Sequence, residues 1–294
     1  MPAHKSVSGP LWLTLVAALV AAMVVAAFFV FVQRGEATQV TKEHSYEPKI
    51  IGGTAVPNGK YSFVAALLNT NKGPTAFQQQ FCGGSLIDRD SVLTAAHCVS
   101  GTRGLPVAPG PLRITVGRTV LNSDQGQKRR VSRIFIHPRY NGDTVTTYDA
   151  AVLKLSSPVS GIAPVKLATA AQDYLEEPGR KATVAGWGNT SALPPGSFPD
   201  RMREVQVPIV SDTQAQQTLH EEFVPRLMVA AGRTGKGPCV GDSGGPMFAR
   251  VSGKYTQIGI TSFGPAVCTA GSPTVYTEVN APSIRGFVTN AASR

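Results

Sequence analysis

The chain is poor in cysteine, in charge and in aromatic side chains. Four cysteines in 294 residues are too few to staple a small loop-rich scaffold, and no Cys-x-x-Cys pair suggests a zinc ribbon. Only 16% of residues are charged and 7% aromatic, beside 30 Gly and 22 Pro. That balance disfavours long solvated helices and favours short strands and turns. There is no internal repeat, low-complexity block or heptad, which argues against solenoids and coiled coils. Apolar material is plentiful, at 42%, too much for a disordered chain and enough for a sizeable core. At roughly 150 residues per domain, the length allows one large or two small domains.

Acid is the scarcer charge: 18 Asp+Glu stand against 28 Lys+Arg, a formal net charge of +10. The basic residues are scattered and no aromatics interleave with them, so they read as a solvated surface and no nucleic-acid partner is expected.

One long apolar run interrupts this pattern. Leu11 to Val32 carries no charged residue; at 1.5 Å per residue it spans about 33 Å, enough for a hydrocarbon core of about 30 Å. A cleaved signal peptide has a shorter apolar stretch, so the run reads as a transmembrane signal-anchor, with a cleaved signal segment as the alternative. Residues 1–10 are then the cytoplasmic N-terminus. Residues 33–49 are polar, mixed in charge and without apolar periodicity, the composition of a stem or propeptide. From Ile50 the character changes to short apolar runs separated by Gly, Pro, Asn and Asp: Tyr61–Leu68, Ser91–Ala95, Leu112–Val116, Val131–Ile136 and Ala151–Leu155. This spacing predicts an all-β sandwich or barrel over 50–294. Only Ala281 to Ala291 reads as a helix, with Ile284, Phe287 and Val288 on one face.

Three segments carry chemistry: Leu93-Thr-Ala-Ala-His97-Cys98, Tyr148-Asp149-Ala-Ala-Val-Leu-Lys-Leu155 and Cys239-Val-Gly-Asp-Ser243-Gly-Gly-Pro246. A serine hydroxyl is a poor nucleophile until an imidazole can take its proton. The imidazole needs a carboxylate to fix its tautomer, and the oxyanion needs backbone N–H donors, which Gly241 lets the chain present. With Gly186-Trp-Gly-Asn-Thr-Ser191 between them, these motifs resemble those of the trypsin-like (chymotrypsin-fold) serine proteases, in that family's order from Ile50 to about Asn290. The resemblance implies two antiparallel six-stranded β-barrels and a short C-terminal helix. It implies a serine endopeptidase with His97 as general base, Asp149 as its orienting carboxylate and Ser243 as nucleophile, and with an oxyanion hole from the N–H groups of Gly241 and Ser243. Protein or peptide substrates and no cofactor go with it, and a monomer is expected. The other histidines share no ligand spacing, so no metal site is indicated. The competing reading is a catalytically silent binding module using its basic surface; it predicts loss of a triad residue or of Gly241, and none is lost.

The same resemblance makes Lys49-Ile50-Ile51-Gly52-Gly53 a zymogen junction. Cleavage after Lys49 would free an Ile50 ammonium to pair with Asp242 and order the oxyanion loop. It pairs Cys82 with Cys98 and Cys239 with Cys268, which requires an oxidising compartment outside the cytoplasm. Two further bridges of the family are missing in pairs, at Ala182 with Ala249 and Ala215 with Ala230. The residue at the pocket base, an aspartate in relatives that cut after Lys or Arg, is Gly237, followed by Pro238. Ser262, Phe263, Gly264 and Thr274 are the expected walls. A buried cation would lack its counter-ion there, so small to medium apolar P1 residues are expected, with a large aromatic as runner-up. Such an enzyme could not cut after Lys49 itself and would need a separate activating protease. The positions where some relatives hold calcium fall near Arg118 and Lys128, two cations that would repel it. Lys128-Arg129-Arg130 with Arg133 reads either as a solvated strand edge or as an anion-binding exosite.

Overall fold

The computed structural model describes residues 50, 52–142, 147–191, 196–265, 267–268 and 271–294. The apolar run Leu11–Val32, the stem 33–49 with Lys49, and Ile51 lie outside the described residues. Strands appear where short aliphatic runs end in Gly, Pro, Asn or Asp, and sheet closure leaves few unpaired edges. They are β1 (Thr54–Ala55), β2 (Val64–Asn69), β3 (Gln80–Asp88), β4 (Ser91–Thr94), β5 (Leu112–Val116), β6 (Gln127–Ile136) and β7 (Ala151–Leu155), followed by β8 (Lys166–Leu167), β9 (Lys181–Gly186), β10 (Arg203–Val210), β11 (Met228–Ala231), β12 (Pro246–Val251), β13 (Lys254–Phe263) and β14 (Thr274–Glu278).

Antiparallel pairing closes the first six-stranded barrel in the order β2-β3-β4-β7-β6-β5 and back to β2. The second runs β9-β10-β11-β14-β13-β12 and returns to β9. Outside these rings β1 adds to β10, and β8 pairs parallel to β13. β10 shows the period-2 pattern of a half-buried strand, with Val205, Val207 and Ile209 inward. In β2, by contrast, Val64 to Leu68 are buried without alternation, because both of its faces are covered.

The cores of the two barrels are not separate. Leu67, Ile114 and Leu153 of the first belong to one cluster with Trp187, Met202 and Phe248 of the second. Phe63 meets Phe248 edge-on at 5.2 Å, and buried Ser85 Oγ donates to Gln257 Oε1 across the junction at 2.6 Å. A second cluster joins Leu93, Ala95 and Val152 to Phe223, Ile260 and Ile284. The ends of β4 and β7 therefore face the second barrel.

Four differences from the sequence expectation have physical causes. Tyr61–Phe63 form a turn and β2 starts at Val64, the aromatics being drawn into the inter-barrel cluster with Phe248 and Tyr255. β4 stops at Thr94 because Ala95 to Cys98 turn into a single 3-10 turn. β6 begins at Gln127, four residues before the apolar run, since Lys128 and Arg130 point to solvent while their backbones pair with β5. β6 as a whole lies between β5 and β7, but β7 pairs only from Val131 onward, so Lys128–Arg130 pair with β5 alone. The C-terminal helix is not alone. Besides α3 (Pro282–Ala292), a four-residue α1 (Ala76–Gln79) and an eight-residue α2 (Asp212–Leu219) are present. α2 buries only Ala215, so it carries no apolar stripe to read, and its start is set by Ser211 Oγ accepting from Gln214 N at 3.3 Å.

The paired alanines sit where a repacked core would put them. Ala215 and Ala230 share one buried cluster, and Ala182 is buried in another, against which half-buried Ala249 packs. Leu153 is wholly buried in β7, between β4 and β6. Leu153→Ala should therefore cost about 3 kcal/mol, read as a lowered urea midpoint with an unchanged m-value.

Candidate active site

β4 ends in the 3-10 turn Ala96–Cys98, which swings His97 toward the second barrel. Asp149 lies two residues before β7 and is wholly buried. His97 N donates to Asp149 Oδ1 at 2.9 Å, and His97 Nδ1 lies 2.8 Å from Asp149 Oδ2. From the second barrel, Ser262 Oγ donates to the same Oδ2 at 2.6 Å and Thr277 Oγ1 donates to the Asp149 carbonyl at 3.0 Å. A buried carboxylate is tolerated only when its lone pairs are taken up in this way. Tyr148, just before it, is held at φ 58° by stacking on His137 at 4.8 Å and by Arg139 Nη1 donating to its hydroxyl. Burial by itself would lower the His97 pKa; the hydrogen bond that its ring donates to Asp149 and the charge of Asp149 outweigh burial, and the net direction is up.

The segment 239–246 meets this pair from the other side. Ser243 O accepts from Gly83 N at 2.7 Å, and Gly244 N donates to Thr261 O at 2.7 Å, so the serine backbone is pinned between β3 and β13. Cys82 and Cys98 are disulfide-bonded. Cys98 Sγ lies 3.7 Å from His97 Nε2 and 3.6 Å from Ser243 O, which brings the imidazole and the serine to one bridge. Gly244 has φ +77°, and a Cβ there would lie 2.2 Å from Thr94 Oγ1; no other residue fits at this junction. Val240 O accepts from Asn189 N at 2.7 Å. Because the peptide is trans, the Gly241 N–H points away from Asn189.

Asp242 lies in a socket. Oδ1 accepts from Gly188 N at 2.8 Å and Oδ2 from Cys239 N at 3.0 Å. A Cβ on Gly186 or Gly188 would sit 2.3 Å from a carboxylate oxygen, so the socket requires glycine on both sides. Burial raises the Asp242 carboxyl to about 6, against the two backbone donors, which lower it. It has no ion pair among the described residues. Ile50, the expected carrier of its cation, is wholly buried among Val184, Val205 and Tyr276 of the second barrel.

A cavity of about 200 Å³ opens beside Ser243. Among the described residues Pro238, Ser262, Phe263, Gly264 and Thr274 line it, Gly237 does not, and none of the lining residues is charged. Thr274 Oγ1 lies 3.2 Å from where a Gly264 Cβ would be and 3.6 Å from that of Gly237, so its side chain fills space between the two glycines. The Cys239–Cys268 disulfide closes one wall. Ala266, in the segment that is longer than usual, lies outside the described residues.

Arg118 occupies the loop where calcium was not expected. Its Nε donates to Gln125 O at 2.7 Å and its Nη1 to Leu121 O at 2.9 Å. The loop carbonyls thus face a guanidinium, the role a metal would otherwise take.

Two roles escaped the sequence. Ser262 was expected as a pocket wall, yet its hydroxyl also binds Asp149. Gln80, not singled out, donates through Nε2 to Gly241 O at 2.9 Å and to Cys82 O at 3.2 Å. Its separation of 161 residues from Gly241 left no local signal.

The trypsin family model matches residues 50–284. A trypsin of Saccharopolyspora erythraea is 38% identical over 234 residues, covering 79% of this chain and 94% of its own. A trypsin-like protease of Streptomyces glaucescens is 32% identical over 82% of each chain. Trypsin-1 of Astacus astacus is 33% identical over 79% of this chain and 95% of its own. With two barrels, two disulfides and the His97–Asp149 pair beside Ser243, the chain belongs to the trypsin family and is a serine endopeptidase.

Proposed function

We propose that His97, Asp149 and Ser243 form the catalytic triad of this endopeptidase. The observation that carries the reading is the double contact of buried Asp149 with His97, to its backbone N and to Nδ1. That contact leaves Nε2 as the basic nitrogen on the side of Ser243. Ser243 Oγ attacks the scissile carbonyl carbon while His97 Nε2 takes its proton. The N–H groups of Gly241 and Ser243 hold the oxyanion, and the imidazolium returns the proton to the leaving amine. Water then cleaves the acyl-enzyme by the same exchange. Asp149 stabilises the imidazolium without taking the proton.

The neutral cavity supports a P1 preference for small to medium apolar residues over Lys or Arg. A cation there would have no carboxylate among the described lining residues, and Thr274 shortens the depth.

The Asp242 socket supports zymogen activation. A carboxyl buried without a cation among the described residues and raised to about 6 gains a partner when cleavage after Lys49 turns the Ile50 peptide nitrogen into an ammonium. An apolar pocket cannot make that cut, so a separate tryptic protease acts as activator. The disulfides and the family support a catalytic domain outside the cytoplasm. Residues 11–32 would hold it at the membrane until activation releases it.

Catalysis needs neutral imidazole, and Asp149 raises the His97 pKa. The acidic limb of kcat/KM should therefore lie above the ~6.5 of free imidazole. In Asp149→Asn that limb should move to lower pH while kcat falls about 10⁴-fold, both read from a pH–rate profile. Ser243→Ala should abolish turnover while leaving the thermal midpoint within about 1 °C.

Peptides ending in Ala, Val, Leu, Phe or Arg test the pocket and the zymogen together. Before cleavage after Lys49 none should turn over. After it, the small and medium apolar peptides should be cleaved and the Arg peptide should not. Cleavage after Arg would overturn the pocket reading, and full activity of an uncleaved Lys49→Gln variant the zymogen reading.

A further inference from the structure

The C-terminal helix carries a glycine where packing asks for none. Gly286 lies in the interior of α3, where glycine costs about 1 kcal/mol relative to alanine. A Cβ there would meet nothing within 4 Å, so no close contact requires the bare backbone. What it leaves open is a cavity of about 550 Å³ between α3 and the end of β6. Phe135, His137, Pro138 and Phe287 give this cavity aromatic and apolar walls. Arg139 and Arg294 line it too, and no acid does among the described residues.

A row of cations leads to this cavity. Lys128 and Arg130 face solvent at alternate positions of β6, and a bulge follows between Val131 and Arg133. The extra residue reverses the alternation, so Arg133 is exposed while Val131 and Ile134 are both buried in the first barrel's core. Lys128, Arg130, Arg133 and Phe135 thereby share the outer face of the barrel, over about 23 Å of strand. Arg133 and Arg294 both stack on the Phe135 ring, at 5.7 and 5.6 Å. Arg129 is bound to Pro158 O. Its neighbours Lys128, Arg130 and Arg133 have no ion pair among the described residues, nor have Arg139 and Arg294, which donate to Tyr148 Oη and Asn290 Oδ1. Arg130 also stands directly opposite Arg113 of β5, a like-charge pair that costs stability.

Cations in a row are often no more than a solvated face. Here the like-charge pair and the helix glycine both cost stability, and broken local rules of this kind mark functional sites. We propose that this surface docks an acidic segment of a partner protein, with one large apolar side chain of that segment seated in the cavity. Guanidiniums that lie on rings keep N–H groups free for carboxylate oxygens. An extended peptide advances about 3.3 Å per residue, so a track of this length takes about seven residues. The walls favour a peptide over a sulfated polysaccharide, because a sugar chain has no apolar group to fill the cavity. The site shares no lining residue with the cavity beside Ser243. It gives the basic run 128–133 a role as a docking surface.

The test uses the full-length chain in detergent, with Ser243→Ala to prevent cleavage of the probes. These are two fluorescein-labelled peptides, one a phenylalanine followed by six acidic residues, the other with alanine in place of the phenylalanine. By fluorescence anisotropy at about 50 mM salt, the phenylalanine peptide should bind at least about tenfold more tightly than the alanine peptide. Both should weaken as salt is raised. Lys128→Gln/Arg130→Gln/Arg133→Gln should weaken both at least about tenfold. Gly286→Leu should fill the cavity and remove the advantage of phenylalanine. It should leave the alanine peptide's affinity unchanged and not lower the thermal midpoint, leucine being the better helix former. No binding by the parent chain, equal affinity for the two peptides, or undiminished binding by the triple variant overturns the proposal. A phenylalanine advantage that survives in Gly286→Leu does so too, as does heparin bound at these cations that neither peptide displaces. Should Gly286→Leu not fold, Gly286→Met must reduce the advantage, and an unchanged one overturns the proposal.

Discussion

A carboxylate without solvent organises this molecule. Asp149 comes from the first barrel, and its oxygens are taken by His97 from that barrel and by Ser262 from the second, while Thr277 of the second binds its carbonyl. A buried charge is tolerated only if such donors are in place. The side chain bonded to the imidazole thereby also ties the two barrels together, beside their shared apolar clusters. Ser262 then has two duties, holding Asp149 and lining the cavity beside Ser243.

The second constraint is steric and falls on glycine. Gly244 lets Thr94 of the first barrel come up against the serine loop, and Gly186 with Gly188 makes room for the Asp242 carboxylate. Nothing larger fits at these contacts. The loop that carries Gly241, Asp242 and Ser243 is thus clamped by Gly83, Thr261, Gly188 and Cys239. Positional precision of this kind gives a backbone oxyanion site its value, since donors already in place need no reorganisation as charge develops.

Much of this was legible beforehand. β5 and β7 fall on their predicted apolar runs to the residue, because a short aliphatic run between turn residues has few alternatives. The C-terminal helix was legible from Ile284 and Val288, both buried in α3. α2 was not, since a helix that buries one alanine shows no stripe. The start of β6 was hidden too, because its first residues put charged side chains into solvent and only their backbones pair.

The sequence by itself carried the family motifs, with His97, Asp149 and Ser243 in them, and the absence of acid at Gly237, because each is written in a contiguous motif or in a single residue's chemistry, whereas the cysteine pairs followed only from the family resemblance. Tertiary structure alone decided what depends on residues far apart in the chain. Ser262 reaches Asp149 over 113 positions, Gln80 reaches Gly241 over 161, and Asn280 reaches Asp173 over 107. Hydrogen bonds act over about 3 Å, and sequence order carries no information about that distance until two closed barrels have been packed together.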